Sequence, residues 1–262
     1  MTTTITATDM KKHKLNNLLF SVGGFLLVLL VWQICAKLYD KPLILPTVTT
    51  TIKQFFLLFT TKNFYLDTLY TFLRSLAAFV GSLAVAFVLA TIATANQSFA
   101  YAIKPVVSIL ATTPVMALLL LMLVFLQSSV LPLVVAFLMT FPVLYTAIYN
   151  EFVKAEQRFG NMCKVYKVGF YNKLTSVWLP TSLDSLLNSC KTTLSMSVKV
   201  TISGEVLAYT TASIGMAMQS ASISVDTEKL LAYCFVALLL SYFAQLLVWC
   251  IQKILKGARV WR

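Results

Sequence analysis

Long apolar runs separated by short polar segments set the pattern of this chain. Six runs qualify as membrane-crossing helices, at 18–36, 70–94, 105–126, 131–150, 183–208 and 230–251. Each approaches the ~20 apolar residues that a helix requires to cross a hydrocarbon core. Between the first two runs, Val48, Ile52, Phe55, Phe56 and Phe59 recur at helical spacing, with Thr and Lys on the other face. Pro46 suits a helix start. The stretch is too short to cross, so 42–65 is predicted to hold a helix lying on the outer interface. Pro114, Pro132 and Pro142 interrupt the middle runs. Each reads either as an ordinary kink or as a break whose freed carbonyls are satisfied by protein or a water-filled cavity.

Composition agrees with the pattern. The chain is 59% hydrophobic and only 11% charged, with a mean hydropathy of +0.83; a soluble domain is about a quarter charged. The reading is an all-α membrane protein: a polar N-terminus (1–17), one transmembrane domain (18–252) and a basic tail (253–262). The net charge of +12 does not point to nucleic acid. The basic residues fall in the loops, where they encode topology. With the N-terminus in the cytoplasm, thirteen loop lysines and arginines lie inside, against Lys37, Lys41, Lys53, Lys62 and Lys229 outside. Both termini are therefore expected in the cytoplasm, which agrees with an even number of spans.

Lys11, Lys12 and Lys14 before the first run give it the outline of a signal peptide, but a small-residue cleavage site is lacking. A retained first helix is expected. Cys35, Cys163, Cys190, Cys234 and Cys250 form no CxxC pair, and His13 is the lone histidine. Neither disulfide nor metal chemistry is indicated. No GxxxxGK[ST] and no nucleophile–base constellation is present, so catalysis by this chain is not expected.

The segment 151–182 is unlike a passive connector. It mixes charge with aromatic and aliphatic residues, and Met162, Val165, Tyr166 and Gly169 can share one helical face. Loops of this length are usually functional. It reads either as a docking surface for a soluble partner or as a basic loop resting on anionic lipid.

In the fifth run Asp184, Asn188, Lys191, Ser195, Lys199 and Ser203 step by three or four, making one polar stripe. Ionisable groups at such depth are costly and mark function, although Lys191 can also snorkel to the cytoplasmic surface. Arg74 and Glu205 lie at similar depth near the outer ends of their runs. They form either an ion pair or two independent interfacial charges.

The 151–182 segment resembles the coupling loop of permease subunits of ATP-binding-cassette (ABC) importers. Gly169, Leu179-Pro180 and Val177 match that family's pattern. Cys163-Lys164-Val165 stand where the family carries Glu-Ala-Ala, and the Gly-to-Pro spacing is shorter. Pro42-Leu-Ile-Leu-Pro46, Thr71-Phe-Leu-Arg74 through Gly81, Ile109 through Pro114-Val-Met-Ala-Leu, Phe141-Pro142 and Gly204-Glu205 with Ser213-Ile-Gly215 are similar to the nitrate/sulfonate/taurine/thiamine-precursor branch.

The resemblance implies a type I importer permease of the bacterial cytoplasmic (inner) membrane, working as a homodimer. It implies Met162, Lys164, Val165, Tyr166, Gly169, Leu179 and Pro180 as coupling residues. It also implies that the polar stripe (Asn188, Lys191, Ser195, Lys199, Ser203) lines a pathway between two permease copies. The implied partners are a second permease, two ATP-binding cassette subunits, an extracytoplasmic solute-binding protein or lipoprotein, and membrane lipid. ATP and Mg would sit on the partner ATPases, with no cofactor in this chain. The lysines favour a small solute with an anionic group; if Asp184 and lipid phosphates neutralise both, the solute is instead neutral or cationic. The alternatives are an ATP-independent channel or secondary transporter, and a membrane enzyme or assembly factor.

Overall fold

The computed structural model describes residues 7–39, 41 and 43–260, with side chains between 20 and 255 except at 25, 39, 40 and 42. Pro42 and the side chains of Lys11, Lys12, His13, Lys14 and the tail from 256 onward lie outside the described residues. Among those described, all regular structure is helical: α1 (Ala7–Tyr39), α2 (Val48–Leu58), α3 (Lys62–Ala95), α4 (Gln97–Thr112), α5 (Val115–Phe125), α6 (Leu131–Val165), α7 (Phe170–Lys173), α8 (Leu179–Ala208), α9 (Ile214–Ile223) and α10 (Thr227–Val260). A π-type segment, Leu174–Trp178, joins α7 to α8. The first helix begins well before residue 18, because nothing between Ala7 and Leu18 breaks a helix.

Two expectations change. The third run is not one rod. It divides into α4 and α5, bent by 100°. Pro114 denies its predecessor the helical conformation, and Thr113 is extended at φ −67°, ψ 126°. Pro142, by contrast, sits inside an unbroken α6, and Pro132 lies in that helix's first turn. The expected long loop at 151–182 is mostly helix as well. α6 continues to Val165, leaving a short turn before α7.

Side-chain contacts relate the directions of α3, α6, α8 and α10. Ser82 in α3 meets Thr140 in α6 at 2.7 Å, and Phe87 meets Phe152 edge to face at 5.9 Å, so α3 and α6 run parallel. The bent α4–α5 pair must therefore return the chain across the layer. Arg74 meets Glu205, and Gln252 donates to Asn188 at 3.3 Å. Hence α8 runs antiparallel to both α3 and α10. Thr227, opening α10, donates to Leu43 O beyond α1 at 2.8 Å. With α1, α3, α4–α5, α6, α8 and α10 each crossing once, the start of α1 and the end of α10 lie on one side, the side that the lysine-rich turn marks as cytoplasmic. Composition alone singles out α1, α3, α6 and α10 as spans, with the bent pair as a fifth. α8 escapes that test because its many Ser, Thr, Asn and Lys residues lower its mean hydropathy.

The centre of the bundle is α3, α6 and α8. Ala78, Ala86 and Ala90 on α3 are fully buried, and small residues let helices approach closely in a membrane. Gly204 marks a close approach of α8 to α6: a Cβ there would stand 2.9 Å from Pro132 Cα. α2 is the amphipathic helix expected after the first span. Thr47 caps it, accepting from Thr50 N at 3.3 Å. α1 ties to this end through Trp32 Nε1, which donates to Pro46 O at 3.2 Å, and Gln33 Oε1, which accepts from Val48 N at 3.0 Å.

Candidate functional site

Three constellations carry the chemistry. The first is at the outer end of the bundle. Glu205 on α8 is fully buried, and Arg74 on α3 donates to its Oε1 at 2.9 Å. The same guanidinium donates to Ala212 O at 3.3 Å and Thr211 O at 3.2 Å. The other carboxylate oxygen accepts from Thr71 Oγ1 at 2.8 Å and Gly215 N at 3.3 Å. Thr71 Oγ1 in turn accepts from Ile214 N at 3.0 Å. The carboxylate thus sits on the N-terminus of α9, where a negative charge is favoured.

Glycine is required at 215, since a Cβ would lie 2.3 Å from Glu205 Cβ. Tyr209 and Ala212 adopt left-handed φ of 51° and 50° to turn the chain back. Thr210 pins the turn by donating to Ser128 O at 2.7 Å. The structure therefore brings Arg74 and Glu205 together and adds Thr71, Gly215 and the start of α9. Sequence spacing cannot reveal that part, because Thr71 and Ile214 are far apart in the chain.

The second constellation is the polar stripe of α8, which the fold divides between two faces. Asn188, Lys199 and Ser203 are exposed, joined by Thr192 and Thr181. Lys191 and Ser195 turn elsewhere. The Asn188–Gln252 bond sets α8 against α10, and Lys191 lines a cleft with Tyr242, Gln245, Leu246 and Trp249. Ser195 is buried, and its hydroxyl has no partner among the described residues. Lys191 lies about 80° around the helix from Lys199, at 100° per residue over eight residues. Repeating polar positions located the stripe but not the boundary that α10 draws through it. Thr192 was hidden because Thr is common on any membrane helix face.

The third is the cytoplasmic turn. Glu156 accepts from Lys173 Nζ at 2.6 Å and from Trp178 Nε1 at 3.1 Å. Phe152 and Phe170 pack on the Trp178 ring at 5.6 and 6.0 Å. This clamp closes α6 onto α8 and holds the turn rigid. Above it Met162 (50%), Val165 (78%), Tyr166 (75%), Phe170 (53%) and Tyr171 (73%) are exposed.

Lys164, Gly169 and Pro180 are exposed with them, whereas Leu179 is half-buried against the core. Gly169 does not supply an unusual backbone: its φ is −65°, and a Cβ would meet nothing within 4 Å. The left-handed residue of the turn is Lys167, at φ 50°. α6 has 35 residues, or ~52 Å, against a hydrocarbon core of ~30 Å. The helix is thus longer than the hydrocarbon core is thick, so part of it extends beyond the core.

A further cleft of about 620 Å³ opens between α4 and α6, with Gln97, Tyr101, Lys104, Tyr149 and Asn150 on its walls. Among the described residues no group of His, Cys, Asp or Glu has the arrangement to hold a metal ion.

Comparison with known families matches one model, the binding-protein-dependent transport system inner membrane component, over residues 82–257. That range runs from the middle of α3 to near the end of α10 and includes all three constellations except Arg74 and Thr71. No individual curated protein matches the chain. With well over half of its length matched, and with helices that cross a membrane in the order described, the chain belongs to the binding-protein-dependent ABC transport inner-membrane component family and has its type I permease fold.

Proposed function

We propose that this chain is the permease subunit of an ATP-driven importer, working as a homodimer with two ATPase subunits and an extracytoplasmic solute-binding protein or lipoprotein. The observation that carries the proposal is the apolar patch of Met162, Val165, Tyr166, Phe170 and Tyr171 on a clamped turn that projects into the cytoplasm. Exposed apolar patches on water-facing surfaces mark docking sites. A rigid turn, held by Glu156, Lys173 and Trp178, transmits a push from an ATPase directly into α6 and α8.

The exposed face of α8 supplies the pathway. Among the described residues, no hydrogen bond or ion pair engages the Lys199 ammonium. A polar helix face inside a membrane is stable against water or a second polar face, not against lipid. Pairing two copies there places Asn188, Thr192, Lys199 and Ser203 of each beside one passage. Two Lys199 ammoniums would concentrate anions, so the favoured cargo is a small solute with an anionic group. On this reading the chain works in the bacterial cytoplasmic membrane, with ATP and Mg bound by its partners.

Co-purification with the ATPase subunits tests the docking. Val165→Asp places a charge at the centre of the patch without touching the Glu156 clamp. The variant should insert normally and lose the ATPases. Unchanged co-purification would refute the docking surface.

A further inference from the structure

Lys191 is a cation that the proposed pathway leaves unexplained. It lies on a membrane-crossing helix, is half-buried, and has no hydrogen-bond or ion-pair partner among the described residues. It lines a cleft of about 300 Å³ with Tyr242, Gln245, Leu246 and Trp249 of α10. An ammonium at that position is costly unless an anion or water compensates it.

Its depth shows which anion is within reach. The Asn188–Gln252 bond sets the register of the antiparallel helices. One turn further along α8, Lys191 comes level with Trp249. Lys253 lies one turn, ~6 Å, closer to the cytoplasm, with its ammonium over the Trp249 ring at 5.2 Å. Beyond Lys253 the chain turns basic; before it, Leu246, Leu247 and Trp249 are exposed and apolar. Trp and Tyr prefer the headgroup boundary, and lysine side chains extend toward it. Lys191 and Trp249 thus lie within reach of the inner leaflet's phosphates, with Gln245 and Tyr242 lining the deeper part of the cleft. Basic clefts between helices on this side suit anionic headgroups.

We infer that the α8–α10 cleft binds the phosphate of an anionic phospholipid of the cytoplasmic leaflet, with Lys191 as its principal cation and Lys253 at the rim. Lys191 then serves the lipid boundary, and Lys199 alone of the two serves the pathway. The bound lipid holds α10 against α8 at the Asn188–Gln252 contact.

The test uses the full chain in nanodiscs of phosphatidylcholine doped with spin-labelled phosphatidylglycerol or spin-labelled phosphatidylcholine. Electron paramagnetic resonance reads the motionally restricted fraction of each. Wild type should restrict phosphatidylglycerol preferentially. Lys191→Gln should lower its relative association about fivefold, the effect of one basic residue at the surface. Lys191→Arg should retain it, which separates lost charge from a damaged fold. Inorganic phosphate at constant ionic strength should not displace the labelled lipid. The proposal is overturned if wild type shows no preference, if Lys191→Gln keeps the preference, or if inorganic phosphate competes, which would mark a soluble-anion site instead.

Discussion

Replacing Arg74 by Ala gives the sharpest test of the outer hub. The substitution removes the donor to Glu205 Oε1 and leaves a fully buried carboxylate. Breaking one side of a buried ion pair costs about 3–5 kcal/mol. Here Thr71 Oγ1 and Gly215 N still donate to Oε2, and the α9 N-terminus favours the charge. The expected loss is therefore at the low end, about 3 kcal/mol. Glu205→Gln should cost less, about 1–2 kcal/mol. Arg74 is 20% exposed and keeps the Thr211 and Ala212 carbonyls, so its charge is not stranded. The assay is thermal or denaturant unfolding of the purified permease in detergent, completed as a cycle with Arg74→Ala, Glu205→Ala and the double variant. Residues in direct contact couple by about 0.5–3 kcal/mol. A coupling within error of zero, or a Glu205→Gln variant less stable than Arg74→Ala, would refute the reasoning.

Other expectations follow from the same contacts. Gly215→Ala drives a Cβ into Glu205 and the Val206 backbone, so it should cost stability at the upper end of about 1–3 kcal/mol in the same unfolding assay. Gly169→Ala should leave stability within about 0.5 kcal/mol, while Lys167→Gly should raise it by about 1 kcal/mol by relieving a left-handed backbone. Unfolding curves that rank these two in the opposite order would contradict the turn geometry. Single cysteines at Leu57, Ser128 and Ser220 should react with an impermeant thiol reagent from outside, and one at Val165 should not; outside labelling of Val165 would overturn the topology. Lys199→Met should lower solute uptake in proteoliposomes while ATPase co-purification is retained, and undiminished uptake would remove Lys199 from the pathway.

The helical content and the positions of most spans were legible because apolar runs of bilayer length have one stable solution. The depth match of Arg74 and Glu205 was legible for the same reason: span ends set a common scale. What could not be read was anything decided by a distant neighbour. Pro114 announced an interruption, but its 100° bend depends on how α4 and α5 pack on α6. Lys191 and Lys199 share a periodicity, and only the Asn188–Gln252 contact separates their faces. Gly169 is the glycine nearest the turn, yet its φ is ordinary and Lys167 carries the left-handed φ. The Glu156–Lys173–Trp178 clamp went unseen because its members stand far apart along a segment that reads as a loop. The actual helix extension of α6 is what brings them together.

The central claim is that this permease moves solute only when ATPases drive it from the cytoplasmic turn. The direct measurement is uptake into proteoliposomes holding this chain and its ATPase subunits, with the solute-binding protein added outside and ATP enclosed within. Solute should accumulate against its gradient with ATP, fail to do so with a non-hydrolysable analogue, and fail again when Val165→Asp replaces the wild-type chain. Equal flux without ATP would contradict the account and make the chain a channel or secondary transporter.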